Sequence, residues 1–182
     1  MSLDVQEAIR TRRVAKYYDQ KAISDDLLWS VLEAARWAPT GGNYRVHRFI
    51  CINDRSLLQK IKFFTPGMVA GLPAALIVIC VDWDLAKADV PIENYQAVYF
   101  DVGSAAENML LMAHGLGLVA GPMTSFSKDA VRVLLNLPSR IDPQMFVGLG
   151  YPAEPPVYLP TWPKTKIRVQ DLVQWGPYPA DY

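Results

Sequence analysis

The chain has 182 residues, which corresponds to about one domain at roughly 150 residues per domain. Lys plus Arg and Asp plus Glu number 18 each, so net charge favours neither a nucleic-acid nor a membrane partner. The composition, 51% hydrophobic and 20% charged, excludes a disordered chain. Cys51 and Cys80 lack CxxC spacing and are expected to be buried free thiols in a reducing cytoplasm. Every apolar run is shorter than the ~20 residues of a membrane span.

The first half of the chain predicts three helices and two strands. Apolar residues at helical spacing after Ser2, a candidate N-cap, indicate a first helix that ends near Thr11. A second helix should follow Ser24 and stop before Pro39, and Asp54 can cap a third. The two segments typical of core strands are Arg48 to Ile52 and Ala74 to Val81.

A long helix is predicted from Glu93 to about Leu116. A narrow polar stripe on it consists of Asp101, Ser104 and Asn108. Apolar residues cover the rest, so we expect the helix to be buried nearly all round. Gly103 and Ala106 leave room for another backbone, which suits a subunit contact, although a core helix of a monomer would look the same.

The last part of the chain predicts two strands, a helix and an extended arm. The strands are Val119 to Met123 and Met145 to Leu149, with a helix from Ser127 to Leu135 between them. Seven of the 14 prolines follow Gly150 together with several aromatic residues. We therefore expect one α+β domain over residues 1–182, in which residues 151–182 form an arm that packs on an apolar surface, such as a second subunit.

Two basic clusters could bind an anion. The first comprises Arg10, Arg12, Arg13 and Lys16, and the second comprises Lys164, Lys166 and Arg168. If the turn after Arg10 stays helical, the first cluster converges on one face and could hold a phosphate. A solvated basic helix end is the alternative interpretation.

The segment from Ala38 to Phe49 joins a predicted helix to a predicted strand. Its glycines allow backbone N–H groups to face a ligand, and Asn43 and Arg45 add donors, although it could equally be a polar loop. The chain has no nucleotide phosphate-loop motif and no HExxH motif, and His47 and His114 stand alone. Since no nucleophile and base pair is evident, a cofactor is expected to bring any reactivity. Two loop-like segments, Asp84 to Tyr95 and Phe64 to Pro73, could form a lid over such a cofactor.

Five segments, taken in order, resemble the nitroreductase family over nearly the whole chain. They are Arg12 to Lys16, Ala38 to Asn43, Gly103 to Leu118, Gly148 to Pro152 and Lys164 to Lys166. The resemblance implies an α+β fold, with a mixed sheet flanked by helices, that forms a homodimer with flavin mononucleotide (FMN) at the subunit contact.

The resemblance also implies roles for individual residues. Arg12, Arg13 and Lys16 would hold the flavin phosphate and ribityl chain, and Lys164 and Lys166 would complete that site. The residues that the other subunit would place against the ring are Pro39, Thr40, Gly41 and Asn43. The segment that would set a backbone amide near flavin N5 consists of Pro122, Met123 and Thr124.

The chain departs from the family pattern at two positions. Val14 replaces a serine that bonds the flavin in many members, so that contact would be lost or taken over by a backbone amide. Arg45 puts a cation near the pyrimidine end of the ring, where it would favour the anionic reduced flavin.

The implied function is an oxidoreductase that passes hydride from NADH or NADPH through FMN to a nitroaromatic, a quinone or a similar small acceptor. No catalytic side chain is assigned, because the flavin carries the chemistry. The alternatives are a divergent flavoenzyme, such as a dehydrogenase or a reductive dehalogenase, and a non-catalytic flavin-binding protein.

Overall fold

The computed structural model describes residues 4–15, 17–69, 71–91, 94–154 and 168–177. The helices are α1 (Val5–Thr11), α2 (Asp25–Arg36), α3 (Arg55–Phe63), α4 (Trp83–Asp89), α5 (Ala97–Gly115) and α6 (Lys128–Leu134). The strands are β1 (Tyr18–Asp19), β2 (His47–Ile52), β3 (Ala75–Asp82), β4 (Val119–Met123) and β5 (Ile141–Pro152). Short 3₁₀ turns cover Gly41–Asn43 and Val169–Asp171.

The five strands form one sheet organised around β5. Its path runs β1, β5, β3, β2, and β4 also pairs with β5. All of these pairings are antiparallel, and the parallel part of the expected mixed sheet is a single bridge between Val14 and Ala120. β5 is longer than predicted because three strands satisfy its backbone groups along its length. The expected α+β class is confirmed.

Strand β3 separates two layers of the core. Ala75, Ile77, Ile79 and Val81 pack in the cluster that contains residues of α2 and α5. Leu76, Val78 and Cys80 pack in the cluster that contains residues of α3 and α6. Both faces are buried, so the strand is apolar from Ala75 to Val81 rather than alternating. Each fully buried aliphatic side chain stabilises the fold by roughly 1.5–3 kcal/mol.

Side-chain caps explain where several helices begin. Asp54 Oδ1 accepts from Leu57 N at 2.7 Å, as expected for α3, and Ser127 Oγ accepts from Ala130 N at 3.3 Å at the start of α6. The cap of α1 is Asp4, whose Oδ1 accepts from Gln6 N at 3.1 Å. The prediction of a Ser2 cap is therefore wrong, although the end at Thr11 is confirmed.

Helix α4 is absent from the sequence prediction, which treated Asp84 to Tyr95 as a loop. It follows β3 directly, and the Asp82 carboxylate accepts from Asp84 N at 3.3 Å. A cap that is also the last residue of a buried strand gives little signal in the sequence, because no turn residues separate the two elements.

Helix α5 begins at Ala97, four residues after the predicted start. One side of the helix is exposed to solvent in the single chain. Phe100 is 73% exposed, Tyr99 50% and Met112 38%, so the expectation of burial nearly all round is wrong for the single chain. Although α5 has 19 residues, no helix in the described ranges combines the length and hydropathy needed to cross a membrane.

Candidate functional site

The first basic cluster leads into an extended segment, residues 12–15, which we term the cationic segment. Arg12 has φ −52° and ψ 132°, so the helix ends before it and the condition for helical convergence of Arg12 with Lys16 is not met. Lys16 itself lies outside the described residues. Main-chain contacts with β4 fix the segment: Ala15 N donates to Ala120 O at 3.1 Å, beside the Val14 bridge. Val14 remains 50% exposed.

The side chains of Arg12 and Arg13 in this segment make different contacts. Arg13 Nη1 donates to the carbonyl oxygens of Arg10 and Arg12 at 2.8 and 2.9 Å, which satisfies the end of α1. Arg12 Nε lies 3.2 Å from Glu107 Oε1 of α5 but in a geometry that makes no hydrogen bond. A buried donor without a partner costs about 1–3 kcal/mol, so an anion oxygen at Arg12 would be stabilised.

Tyr18 anchors the end of this segment in a slot that we name the glycine slot, formed by Gly121, Gly148 and Gly150. The Tyr18 hydroxyl donates to Ala15 O at 3.0 Å, and burial raises the pKa of that hydroxyl. A Cβ at Gly150 would lie 2.7 Å from Tyr18 Cδ1, and one at Gly121 would lie 2.4 Å from Ala15 O. The slot is absent from the sequence prediction, although glycines two apart on one strand face, Gly148 and Gly150, indicate a close approach.

Residues 38–45, which we term the glycine loop, have an unusual backbone. Gly42, Asn43 and Arg45 have φ of 56°, 57° and 50°, in the left-handed region. Gly42 is required, because a Cβ there would lie 2.1 Å from the Tyr44 ring. Arg45 Nε donates to Asn43 Oδ1 at 2.9 Å, so these two predicted site residues contact each other. The predicted residues of the loop that are exposed are Pro39, Gly41, Asn43 and Arg45, and Thr40 is half-buried.

A buried carboxylate of α5 contacts the backbone of the glycine loop. Gly41 N donates to both carboxylate oxygens of Asp101, at 3.0 Å to Oδ1 and 3.1 Å to Oδ2. Asp101 is only 9% exposed. A carboxylate out of water needs such donors, so this contact fixes the loop to α5.

His47 is the first residue of β2, two positions after the glycine loop ends. Its ring stacks on Phe49 with centroids 6.4 Å apart, and Nε2 is buried without a hydrogen-bond partner among the described residues. Burial lowers the pKa of His47, opposed by the Val98 backbone and by the charge of Asp101. His114 packs instead through Nε2 against Thr11 Oγ1, at 2.8 Å. The described ranges contain no group of three His, Cys, Asp or Glu side chains able to hold a metal ion.

Two concave regions adjoin these elements. The larger, a groove of about 570 Å³, runs along α2 and β2, and none of the predicted site residues lines it. The smaller, a cavity of about 300 Å³, lies between the glycine loop and the start of α5, where Gly41, Gly42 and Asp101 line it. The smaller one is therefore the cavity relevant to the predicted residues.

The cationic segment and the glycine loop both contact α5. Arg12 faces Glu107 and Gly41 binds Asp101, six residues or about 9 Å apart along the helix. Pro122 and Thr124 lie just beyond Ala120, the partner of the cationic segment, and have accessible surface, whereas Met123 is buried. Lys164 and Lys166 lie outside the described residues.

Comparisons with known proteins identify the family of this chain. The sequence model of the nitroreductase family matches residues 9–70 and 62–151. A Methanothermobacter thermautotrophicus protein, provisionally named NADH dehydrogenase/NAD(P)H nitroreductase, is 33% identical over 85% of this chain and 80% of its own. A solved structure from Desulfovibrio desulfuricans, titled as a provisional nitroreductase in complex with FMN, is 26% identical with a TM-score of 0.77 and covers 98% of this chain and 100% of that chain. The chain belongs to the nitroreductase family.

Proposed function

We propose that this chain is an FMN-dependent oxidoreductase that takes electrons from NADH or NADPH and passes them to a nitroaromatic, a quinone or a similar small acceptor. Relatives named as NAD(P)H nitroreductases and an FMN-bound relative support the cofactor and the donor. The observation that carries the proposal is that the family match spans two donor-rich segments that both contact α5.

The cationic segment suits the phosphate end of FMN. Arg12 Nε is buried beside Glu107 without a hydrogen-bond partner among the described residues, and a phosphate carries close to two negative charges at neutral pH. Each charge-assisted hydrogen bond would contribute roughly 1.5–3 kcal/mol. We assign Arg12, Arg13 and Lys16 to this end, together with Lys164 and Lys166, and expect the backbone of Val14 to replace the usual serine contact.

The glycine loop suits the flavin ring. Its exposed backbone at Gly41 and Gly42 can approach a planar ring closely, and Arg45 adds a cation. Bound FMN would supply hydride acceptance and release, and the side chains would bind and orient it. The loop residues assigned to the ring are Pro39, Thr40, Gly41, Asn43 and Arg45, and Pro122 to Thr124 would supply a backbone amide.

We propose a homodimer in which the open side of α5 is covered by the partner. The exposed Tyr99 and Phe100 of α5 support this, as does α1, which has no buried residue and contacts α5 through Thr11 and His114. Phe100→Asp should convert the dimer to monomers in sedimentation velocity, whereas Phe63→Asp, at a still more exposed position on α3, should not. A monomeric wild-type protein would contradict the proposal.

The arm, predicted as residues 151–182, begins after β5 ends at Pro152, and we propose that it extends from one α+β domain onto the partner. Support comes from its described part, where Leu172 is 71% and Trp175 90% exposed, so most of their apolar surface faces solvent in the single chain. A Leu172→Glu, Trp175→Glu variant should dissociate at higher protein concentrations than the wild type. Cys51 and Cys80 are free thiols, which supports a cytoplasmic location. Cys80 is buried as predicted, whereas the prediction of burial is wrong for Cys51, which is exposed.

One spectroscopic experiment tests the activity. The purified protein should take up FMN and become yellow, and anaerobic addition of NADH or NADPH should bleach it rapidly. Steady-state rates with a quinone or nitroaromatic acceptor should give parallel double-reciprocal lines. A protein that takes up no FMN would contradict the proposed cofactor, and slow bleaching would contradict the reductase activity.

A further inference from the structure

Two residues of the polar stripe of α5 contact the chain between the last turn of α2 and the glycine loop. Asn108 Nδ2 donates to Ala34 O, in the last turn of α2, at 3.0 Å. Seven residues towards the N-terminus of α5, Asp101 accepts from Gly41 N through both carboxylate oxygens. The third member, Ser104, donates to Phe100 O of its own helix at 3.1 Å and makes no such contact.

The geometry of the two contacts is matched. Asp101 and Asn108 are two helical turns apart and therefore lie on the same side of α5. Ala34 and Gly41 are also seven residues apart, so the helix binds the start and the end of one segment. Asn108 adds a second donor to Ala34 O, which also accepts from Trp37 N at 3.2 Å at the end of α2.

The glycine loop needs such external support. Asn43 and Arg45 adopt left-handed backbone conformations that non-glycine residues rarely adopt without support from their surroundings. The contact to Arg45 Nε is made by Asn43 of the same loop and cannot attach the loop to the rest of the fold. The Asp101 carboxylate is the buried group that joins the loop backbone to a long helix.

We propose that Asp101 and Asn108 are positioning residues that hold the glycine loop in the conformation that receives the flavin ring. This inference rests on the proposed function, since it assigns to α5 the placement of the ring-binding backbone. It predicts that the two residues affect recognition of the ring and leave recognition of the phosphate unchanged.

The test compares Asp101→Ala, Asp101→Asn and Asn108→Ala with Ser104→Ala as the matched control from the same stripe. Dissociation constants for FMN and for riboflavin, which lacks the phosphate, are measured by fluorescence quenching. Asp101→Ala should weaken both flavins by a common factor of about 10 or more, and Asn108→Ala by a smaller common factor. Asp101→Asn keeps one acceptor oxygen and the side-chain volume, so its flavin affinity should lie between those of the wild type and Asp101→Ala. It also keeps the test possible if Asp101→Ala does not fold.

The position of the bound flavin's absorption bands gives a second readout, which a purely structural role would not change. The bands should shift in the Asp101 variants and stay at wild-type positions in Ser104→Ala. Wild-type affinity for both flavins in Asp101→Asn and Asn108→Ala would overturn the inference, as would a loss confined to FMN. A wild-type protein that binds neither flavin would instead overturn the proposed function, and the inference with it.

Discussion

The cationic segment and the glycine loop are held in place by different means. Residues 12–15 contact the sheet through the main chain, at Ala120, and through Tyr18 in the glycine slot. Residues 38–45 are held from outside by a side chain, the Asp101 carboxylate of α5. The first region presents cations and should respond to salt, whereas the second presents backbone donors beside His47 and should respond to pH.

The largest effect is expected from removing the cations of the first region. In an Arg12→Ala, Arg13→Ala variant the affinity for FMN should fall by at least about 100-fold, because each charge-assisted bond contributes roughly 1.5–3 kcal/mol. Riboflavin affinity should stay near wild type, as measured by calorimetry at low and high salt. A Lys60→Ala, Lys62→Ala variant removes two exposed charges on α3 and controls for net charge. An equal loss of affinity for FMN and riboflavin would show that the two regions do not bind different parts of the flavin.

A change in the glycine slot should give the next largest effect. Gly121→Ala places a Cβ 2.4 Å from Ala15 O, a backbone atom that cannot rotate away. The free energy of unfolding should fall by about 1–3 kcal/mol, and FMN affinity should fall more than riboflavin affinity. Gly115→Ala, where nothing lies within 4 Å of the added Cβ, is the matched control. Chemical denaturation measures the difference, and equal stability of the two variants would contradict the role of the slot.

A smaller effect is expected from Arg45→Gln in the glycine loop. Removal of the cation should disfavour the anionic reduced flavin and lower its midpoint potential, on the order of 30 mV for about 1.4 kcal/mol in a two-electron couple. Potentiometric titration against Arg55→Gln, a charge-matched change on α3, measures this shift. An unchanged potential would place Arg45 away from the ring.

The smallest effect is expected from the titration of His47. Burial lowers its pKa below the ordinary 6.5, with Asp101 opposing and Arg48 reinforcing that shift. As pH falls below 6.5, the unfolded chain takes up the proton first, so the free energy of unfolding should decrease until the folded-state pKa is passed. His47→Gln should flatten this dependence in denaturation series between pH 7 and pH 5. An unaltered pH dependence would mean that His47 does not titrate differently on folding.

Elements with a local signal were predictable from the sequence. Asp54 and Ser127 are adjacent to the helices that they cap, and the apolar run at β3 needs no knowledge of its partners to be recognised as buried. The two donor-rich segments were identified because charge and glycine content are local properties. Their assignment to FMN stays a prediction until a flavin-binding experiment tests it.

Features that depend on distant contacts were not predictable. The backbone becomes extended at Arg12 because the following residues pair with Ala120 of β4, which is more than 100 residues away in the sequence. Helix α4 and the exposed side of α5 likewise depend on what packs beside them.

Amino-acid order alone determined the α+β class, the buried strand β3 and the positions of the two donor-rich segments, because hydrophobic period, caps and charge act over a few residues. The tertiary structure alone decided that Tyr18 fills a slot of three glycines and that Asp101 binds Gly41. These contacts join residues that are far apart in sequence, and a close approach or a buried carboxylate acquires its partner only when the chain has folded.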